Sequence, residues 1–350
     1  MYFYPLNVIR FLLAVGVVLF HYGLQFYPFN LPMIKTGIEH SGFRVSFFFF
    51  ISGFVMSLVY APKYLELTPR EFYHKRFTRI FPVYWLALLF TLVLVLFLKG
   101  STPKGLSIIL NVFALQSCNP GYVLDLNYPT WSISVELFFY LIFPFLLKWL
   151  MKKNILTVLW ITGMVWAIQT LQHVLFVELF PSPGKKMEEF TNAFPLWHFS
   201  TFLFGITTAR FVLNESVPRF FVKGATFYLL FCLLIFVTLM YVPNPLLKYI
   251  HNGLLSPLFA LTVVALYYDR SIVHRILSHP RLVALGNLSF GLFIFQYPLW
   301  LVCKAFSSED FSHTSFFFFI YFISLLTFSA LVYRFFEIPM LQRLRTKSSL

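Results

Sequence analysis

The apolar run LNVIRFLLAVGVVLFHYGLQF, from Leu6 to Phe26, is long enough to cross a bilayer, yet it contains two ionisable residues, Arg10 and His21. The two are eleven positions apart, so at about 3.6 residues per turn they share one face of a helix and lie about 16 Å apart along its axis. Ionisable groups at membrane depth are costly unless they face a polar cavity or a partner. The run therefore predicts a transmembrane helix that forms one wall of a polar passage, with Arg10 and His21 as candidate functional residues.

The composition is that of a membrane protein, because 59% of the 350 residues are hydrophobic and only 11% are charged. A typical soluble domain has about 25% charged residues. The apolar runs predict an all-α fold, a polytopic transmembrane helical bundle of about ten spans. The expected spans are residues 6–26, 43–61, 79–99, 131–150, 154–173, 194–212, 222–242, 247–268, 284–304 and 315–336. The shorter run Gly105–Gln116 is expected to be a re-entrant or interfacial segment, and residues 1–350 to form a single membrane domain with no fused soluble domain.

The net charge of +14 does not indicate a nucleic-acid partner, because the basic residues fall in short loops between apolar runs. Most of the 27 Lys and Arg residues would lie on the side of the two termini. The positive-inside rule therefore predicts a multi-pass protein with both termini in the cytoplasm. No cleavable signal peptide is recognisable, so the first run is expected to remain as a helix.

Motifs of soluble enzyme classes are missing from the sequence. Cys118, Cys232 and Cys303 have no metal or redox spacing, and the histidines make no metal-like pattern, so no metal site is expected. The sequence also has no P-loop, no G-x-S-x-G elbow and no H-E-x-x-H motif. Any chemistry should therefore depend on polar residues inside the membrane segments.

The fourth run begins PTWSISVELFFY, from Pro129 to Tyr140, and carries a polar stripe. Ser132, Glu136 and Tyr140 follow one another at helical spacing on an otherwise apolar helix. If this run enters the membrane from the outside, Glu136 lies about 8 Å below its outer end, close to the depth of His21. A structural salt bridge is one interpretation; the other is an acid–base pair in which Glu136 supports His21 as a base for a hydroxyl group.

Two further stretches carry polar or small residues at the membrane. Arg76 and Arg79 lie one turn apart at the start of the third run and can converge on one anion, although basic and aromatic residues also mark any cytoplasmic interface. In the stretch FFFISGF of the second run, Ser52 and Gly53 are expected to permit close helix packing.

Taken together, these segments resemble acyltransferase family 3, the integral membrane O-acyltransferases that include bacterial lipopolysaccharide, capsule and peptidoglycan O-acetyltransferases. The resemblance covers nearly the whole chain and rests on Arg10 with His21, Phe48–Phe54, Lys75–Trp85, Trp131–Glu136, Gly286–Phe290 and Glu337–Pro339. Two positions depart from the family pattern: Ser46, where an aspartate is often found, and Gln296, where a histidine is usual. Because of Gln296, the proton chemistry should fall more heavily on His21. His198 stands where relatives often carry a basic residue.

The resemblance implies an O-acetyltransferase of the bacterial inner (cytoplasmic) membrane. Its donor would be acetyl-CoA or another acyl-CoA, and its acceptor a hydroxyl of a glycan or lipid-linked glycan, such as lipopolysaccharide O-antigen, capsule or exopolysaccharide. His21 and Glu136 would be the catalytic residues. The residues expected to bind the donor are Arg10, Lys75, Arg76 and Arg79, and those expected to contact the acceptor are Trp131, Ser132, Ser134 and Tyr140.

Three other interpretations remain open. The acceptor could belong to another class, such as peptidoglycan, a small antibiotic or a lipid. A membrane transporter would also fit about ten spans with charges near the midplane, although no inverted repeat is evident. A non-catalytic scaffold is disfavoured, since it would not require charged residues on inner helix faces. Direct transfer and a transient acyl group on His21 also stay open.

Overall fold

The structure, a computed structural model, describes residues 3–100, 102–182, 184–215, 217–242 and 245–346. Throughout these ranges the regular structure is helical and contains no strand. The α-helices are α1 Pro5–Val18, α2 Pro32–Glu39, α3 Arg44–Tyr60, α4 Pro69–Lys99, α5 Gly105–Val112, α6 Trp131–Met151, α7 Ile155–Leu179, α8 Lys185–Ala193, α9 Phe199–Leu213, α10 Arg219–Lys223, α11 Ala225–Tyr241, α12 Ser256–Tyr268, α13 Ile272–Leu277, α14 Pro280–Gly286, α15 Ser289–Ala305, α16 Glu309–Ser312, α17 Ser315–Val332 and α18 Ile338–Thr346.

The prediction of a helical membrane bundle is confirmed, whereas the count of about ten spans is not. Over the described residues, six helical stretches are long and apolar enough to cross a membrane: Pro5–Gly23, Arg44–Lys63, Pro69–Leu98, Tyr128–Met151, Ile155–Leu179 and Ser315–Leu344. Two sharply bent pairs, α11 with Pro245–Asn252 and α14 with α15, raise the number to eight if each pair is one span. The helices in runs 194–212 and 247–268, α9 and α12, have only 15 and 13 residues. At about 1.5 Å per residue they are shorter than the hydrocarbon core of a bilayer.

The tightest helix packing in the bundle joins α3 to α9. A Cβ atom on Gly53 would overlap the carbonyl oxygen of Phe202, and one on Gly205 would overlap the backbone of Phe50. Two glycines thus let the two backbones touch, as small residues do between transmembrane helices. The packing role expected for Gly53 is confirmed.

The segment that contains α5 folds back along α4, and we call it the re-entrant segment. The Tyr84 hydroxyl donates a hydrogen bond to the carbonyl of Asn111, and Trp85 Nε1 donates one to the carbonyl of Val112 at 2.9 Å. Tyr84 and Trp85 lie near the midpoint of α4, about 22 Å from its C-terminal end. The chain therefore leaves the end of α4, returns along it to half its length, and only there begins α6.

The helix that carries Arg10 and His21 changes its geometry before it reaches His21. After Val18, α1 continues as a π-helical turn, Leu19–Gly23. Because a π turn bonds each amide to a carbonyl five residues away, each residue advances by a smaller angle than in an α-helix. The exact facing predicted from 3.6 residues per turn therefore does not hold at His21. α1 packs on α15, and the π-helical turn contacts α15 through the hydrogen bond between His21 and Gln296.

Candidate active site

A cavity of about 380 Å³ lies among α1, α3, α4, α6, the α14–α15 junction and the π-helical turn Tyr333–Glu337. Its charged lining residues are Arg10, Arg76, Arg79, Glu136 and Glu337, and we call it the arginine cavity. These residues come from four segments that are far apart in the sequence. The volume is in the range of about 300 to 1,000 Å³ that is typical of small-molecule sites.

The arginine cavity has an excess of positive charge, since three guanidinium groups face two carboxylates. Arg10, Arg76 and Arg79 all act electrostatically on Glu136, and Arg79 and Arg10 act on Glu337. Among the described residues, however, the ion pairs of the chain lie elsewhere, and none joins these groups. Such an arrangement suits an anion of more than one charge.

The arginines have hydrogen-bond donors to spare. Arg76 lies over the rings of Phe72, Tyr60 and Tyr140, with its Cζ atom 5.5, 5.6 and 6.0 Å from their centroids, and its Nε is buried without a partner. Within the described part of the chain, no hydrogen bond is made by the side chain of Arg10 or Arg79. A phosphate group in the cavity could accept these bonds bidentately.

Glu136 belongs to the arginine cavity. It accepts a hydrogen bond from the Tyr140 hydroxyl at 3.1 Å, and Ser52 lies beside that hydroxyl in the same lining. Ser52 is therefore a cavity residue, a position that the packing role expected for it does not describe. The polar stripe on α6 is divided, because Ser132 donates to the carbonyl of Pro129 at 3.2 Å and does not line the cavity.

His21 lies in a separate group that we call the histidine cluster, formed with Gln296, Tyr22, Tyr128 and Trp300. His21 Nδ1 is 2.8 Å from Oε1 of Gln296, and Nε2 of Gln296 donates to the carbonyl of Phe293 at 2.7 Å. A carbonyl can only accept, so the amide NH₂ of Gln296 must face Phe293 and its oxygen must face His21. The hydrogen of neutral His21 therefore sits on Nδ1, and Nε2 carries the lone pair.

The Nε2 atom of His21 is free to act on a ligand. It makes no hydrogen bond with the described residues, and it is not one of their fully buried unpartnered atoms, so part of its surface stays accessible. Aromatic rings surround it: the Tyr128 ring centroid lies 4.9 Å from that of His21, and Tyr22, at 6.0 Å, packs on Trp300 at 4.7 Å. This is the geometry of a neutral base with one nitrogen held and the other exposed.

The pairing of His21 with Glu136 expected from their depths is wrong. No hydrogen bond or ion pair joins them; within the described residues His21 bonds Gln296, and Glu136 bonds Tyr140. The cause is the re-entrant segment: since α6 begins near the midpoint of α4, Glu136 lies much deeper than its position in the sequence suggests. It shares the level of Arg10, about 16 Å along α1 from His21.

The other predicted residues lie outside both regions. Lys75 is exposed and does not line the arginine cavity. Trp131 packs on His198 and His251, with ring centroids 5.6 and 5.8 Å apart. Ser134 Oγ accepts from the backbone amide of Ser117 at 3.3 Å, which ties α6 to the re-entrant segment. The predicted donor role of Lys75 and acceptor roles of Trp131, Ser132 and Ser134 gain no support from these positions.

The sequence matches the model of an acyltransferase domain, that of acyltransferase family 3, over residues 3–334. The chain belongs to acyltransferase family 3. The resemblance expected from the motifs is thereby confirmed. Among curated relatives, it is 30% identical over 149 residues to the acyltransferase MdmB of Streptomyces mycarofaciens, which covers 40% of this chain and 38% of that protein. It is 20% identical over 317 residues to the O-acetyltransferase OatA of Staphylococcus aureus, which covers 84% of this chain and 50% of that protein. The match thus spans half or less of the length of these relatives, and no solved structure matches.

In this member of acyltransferase family 3, the two departures from the motif pattern acquire structural explanations. Gln296 holds the tautomer of His21, a role that the sequence did not suggest. Ser46 is fully buried, and its hydroxyl donates to the carbonyl of His251, which an ionised aspartate could not do.

Two further residues were missed by the sequence reasoning. Glu337 was noticed only as part of the closing motif of acyltransferase family 3, yet its side chain lines the arginine cavity. Arg44, at the start of α3, is buried and acts electrostatically on His21, while its guanidinium donates to the carbonyl of Ile38. An arginine at the head of an apolar run was the only available signal.

Proposed function

We propose that this protein is a membrane O-acyltransferase that transfers an acyl group, in the first instance acetyl, from cytoplasmic acyl-CoA to a hydroxyl of a cell-surface glycan. Lipopolysaccharide O-antigen, capsule and exopolysaccharide are the proposed acceptors, and the bacterial inner membrane, with both termini in the cytoplasm, is the proposed location. Membership of acyltransferase family 3 and the names of the relatives support the reaction class. The observation that carries the proposal is the His21 imidazole, whose tautomer is fixed by Gln296 and whose Nε2 is open.

The arginine cavity is the proposed donor site. Arg10, Arg76 and Arg79 would bind the phosphates of acyl-CoA, because guanidinium forks match phosphate geometry. Glu136 and Glu337 would limit the mutual repulsion of these arginines while the cavity is empty of phosphate. The distance of about 16 Å from Arg10 to His21 along α1 suits an extended pantetheine arm between the two regions.

His21 is the proposed base. Its Nε2 would take the proton of the acceptor hydroxyl as that oxygen attacks the thioester carbonyl; the new C–O ester bond forms, and the C–S bond breaks. The imidazolium would then return the proton to the leaving sulfur, which restores neutral His21 and releases CoA thiol. In the alternative covalent route, Nε2 attacks the thioester carbonyl and the C–S bond breaks to release CoA thiolate; the acceptor hydroxyl then attacks the acyl-imidazole, its proton passes to the thiolate, and the N–C bond breaks to restore His21.

Turnover of acetyl-CoA by the purified protein in detergent, with and without added cell-envelope glycan, tests this proposal. We expect His21→Ala to lose activity by about 10² to 10⁴, the usual contribution of a general base. The exposed His313→Ala variant is the matched control and should keep wild-type activity. Full activity of His21→Ala would overturn the assignment of the base. If the wild type neither binds nor turns over acetyl-CoA, the transporter interpretation takes its place.

A further inference from the structure

A second cavity, of about 250 Å³, lies between α4 and α6 and is separate in character from the arginine cavity. Its walls are apolar side chains of both helices: Phe77, Ile80, Phe81, Ile133, Leu137 and Leu141. We call it the α4–α6 groove. Its volume is below the range of about 300 to 1,000 Å³ for sites that enclose whole drug-sized ligands, so it suits one part of a larger molecule.

The α4–α6 groove adjoins the arginine cavity. Arg76, Ile80 and Tyr140 line both spaces, so the guanidinium of Arg76 stands at the boundary between apolar and charged surroundings. A ligand that fills the groove would therefore present its other end to an arginine. The chemistry selected is a hydrocarbon chain joined to an anionic group.

The groove also opens sideways, toward the surface of the bundle. Leu141 and Phe77, on facing walls, are 50% and 45% exposed. The Tyr73 hydroxyl donates to the carbonyl of Leu141 at 2.7 Å, which bridges the two helices at one end of the groove. A hydrocarbon chain would thus enter the groove from the side, from the surrounding bilayer. The hydrogen bond between Tyr73 and Leu141 closes one end of the groove.

We propose that the α4–α6 groove binds one hydrocarbon chain of a phosphate-headed lipid, whose phosphate is held by Arg76. The polar amide-containing arm of CoA finds no hydrogen-bond partner on the apolar walls, so the groove does not suit that part of the donor. Water alone would be disfavoured there for the same reason. This inference does not depend on the acyltransferase activity, because it concerns lipid binding in the absence of acyl-CoA and glycan.

The test compares two lipids that differ only in the phosphate: dioleoyl phosphatidic acid and dioleoylglycerol. Binding to the purified protein would be measured by native mass spectrometry and by the rise in melting temperature that a ligand of the folded state produces. We expect phosphatidic acid to bind about tenfold more tightly than dioleoylglycerol, the effect of one charge-assisted contact. Equal binding of the two lipids would overturn the role of Arg76.

The second part of the test is a substitution that fills the groove with a large side chain. Leu141→Trp, at a half-exposed position, places a large ring in the groove, whereas Phe145→Trp lies one turn further along α6, is 61% exposed in the wild type and does not line the groove. We expect Leu141→Trp to weaken phosphatidic acid binding about tenfold, since the chain loses its site, and Phe145→Trp to change it less than about twofold. Unchanged binding in Leu141→Trp would overturn the proposal.

Two controls complete the design. Arg76→Gln should abolish the preference for phosphatidic acid over dioleoylglycerol, and this arm decides the proposal if Leu141→Trp does not fold. Palmitoyl-CoA and acetyl-CoA binding would be measured on the same variants. If Leu141→Trp weakens palmitoyl-CoA but not phosphatidic acid, the groove holds the acyl chain of the donor and the lipid proposal is wrong.

Discussion

The arginine cavity and the histidine cluster differ in how their polar groups are paired: the cavity leaves donors unused, whereas the cluster fixes the hydrogen bonds of one imidazole nitrogen. In the cavity, charged groups from four segments face each other without an ion pair among the described residues, and their donors are left for a ligand. In the cluster, a neutral imidazole is bonded at one nitrogen to an amide that is itself bonded to backbone. Binding an anion needs donors that are not yet used, whereas moving a proton needs one atom whose state is fixed. The chain separates these requirements by about 16 Å along a single helix.

The two regions meet at an aromatic pair. Phe48 lines the arginine cavity and packs on Phe293, with ring centroids 5.9 Å apart. The carbonyl of Phe293 holds the amide of Gln296. A movement of this ring pair would therefore change the positions of side chains in both regions. Variants that alter only one region are needed to measure the contribution of each.

The largest effect is expected where the state of the base is fixed. Gln296→Leu removes the acceptor of the Nδ1 hydrogen, so both tautomers of His21 become populated and the ring loses its anchor; we expect kcat to fall about a hundredfold with little change in KM for acetyl-CoA. Gln296→Glu keeps the acceptor of the Nδ1 hydrogen but loses the amide donor to the carbonyl of Phe293, so it should retain more activity than Gln296→Leu and less than the wild type. Steady-state kinetics of the two variants check this, and equal losses in both would show that Gln296 acts only through packing.

The next effect is expected in the arginine cavity. Arg79→Gln removes one charged donor from the proposed phosphate site, so KM for acetyl-CoA should rise about tenfold while kcat stays within about threefold of the wild type. Lys75→Gln is the matched control, because Lys75 is exposed and outside the cavity lining. A fall in kcat without a change in KM would show that Arg79 acts in the chemical step. It would contradict the assignment of donor binding to the arginine cavity and of proton transfer to the histidine cluster.

Glu136→Gln tests whether Glu136 acts in the arginine cavity or at His21, because the two roles predict different changes in kcat. Removing a negative charge from the arginine cavity should leave KM for acetyl-CoA unchanged or lower it by about threefold, with kcat nearly unaffected. If Glu136 instead supports His21, kcat should fall as far as in Gln296→Leu. Measuring kcat and KM for both variants side by side distinguishes the two roles.

The smallest effect on activity is expected at Asp269, which lies in neither region. Burial alone would raise the pKa of its carboxyl, but hydrogen bonds from Thr226 Oγ1, Ser271 Oγ and the amides of Ser271 and His274 outweigh it and lower the pKa. A lowered folded-state pKa stabilises the fold above the unfolded value of about 4, and this contribution is lost as the pH falls through the folded value.

Asp269→Asn should therefore lower the melting temperature at pH 7 by an amount equivalent to roughly 1 to 2 kcal/mol, with a smaller difference near pH 4. Specific activity of the folded fraction should not change. Thermal melts of wild type and variant at both pH values check this. A stability difference that grows as the pH falls would contradict the assignment of an ionised, hydrogen-bonded carboxylate.

The sequence predicted those features that depend on local pattern or on charge in an apolar run. The helical bundle, Gly53 at a backbone contact, and Arg10, Arg76, Arg79 and Glu136 as inward-facing residues follow from such patterns. The depth of α6 did not, because it depends on hydrogen bonds between Tyr84 or Trp85 and backbone groups of a segment far along the chain. The role of Gln296 could not be predicted either. The motif showed that the usual histidine is absent at this position, but it did not show that the glutamine side chain bonds His21.

The re-entrant segment also constrains how the protein can be assembled in a membrane. The carbonyls of Asn111 and Val112 are bonded by side chains of α4, and the amide of Gln116 donates to the carbonyl of Thr130 at 2.9 Å. Irregular backbone cannot face lipid with its polar groups unpaired. The segment can therefore hold this depth only where α4 and α6 lie side by side, so its position depends on the packing of both helices.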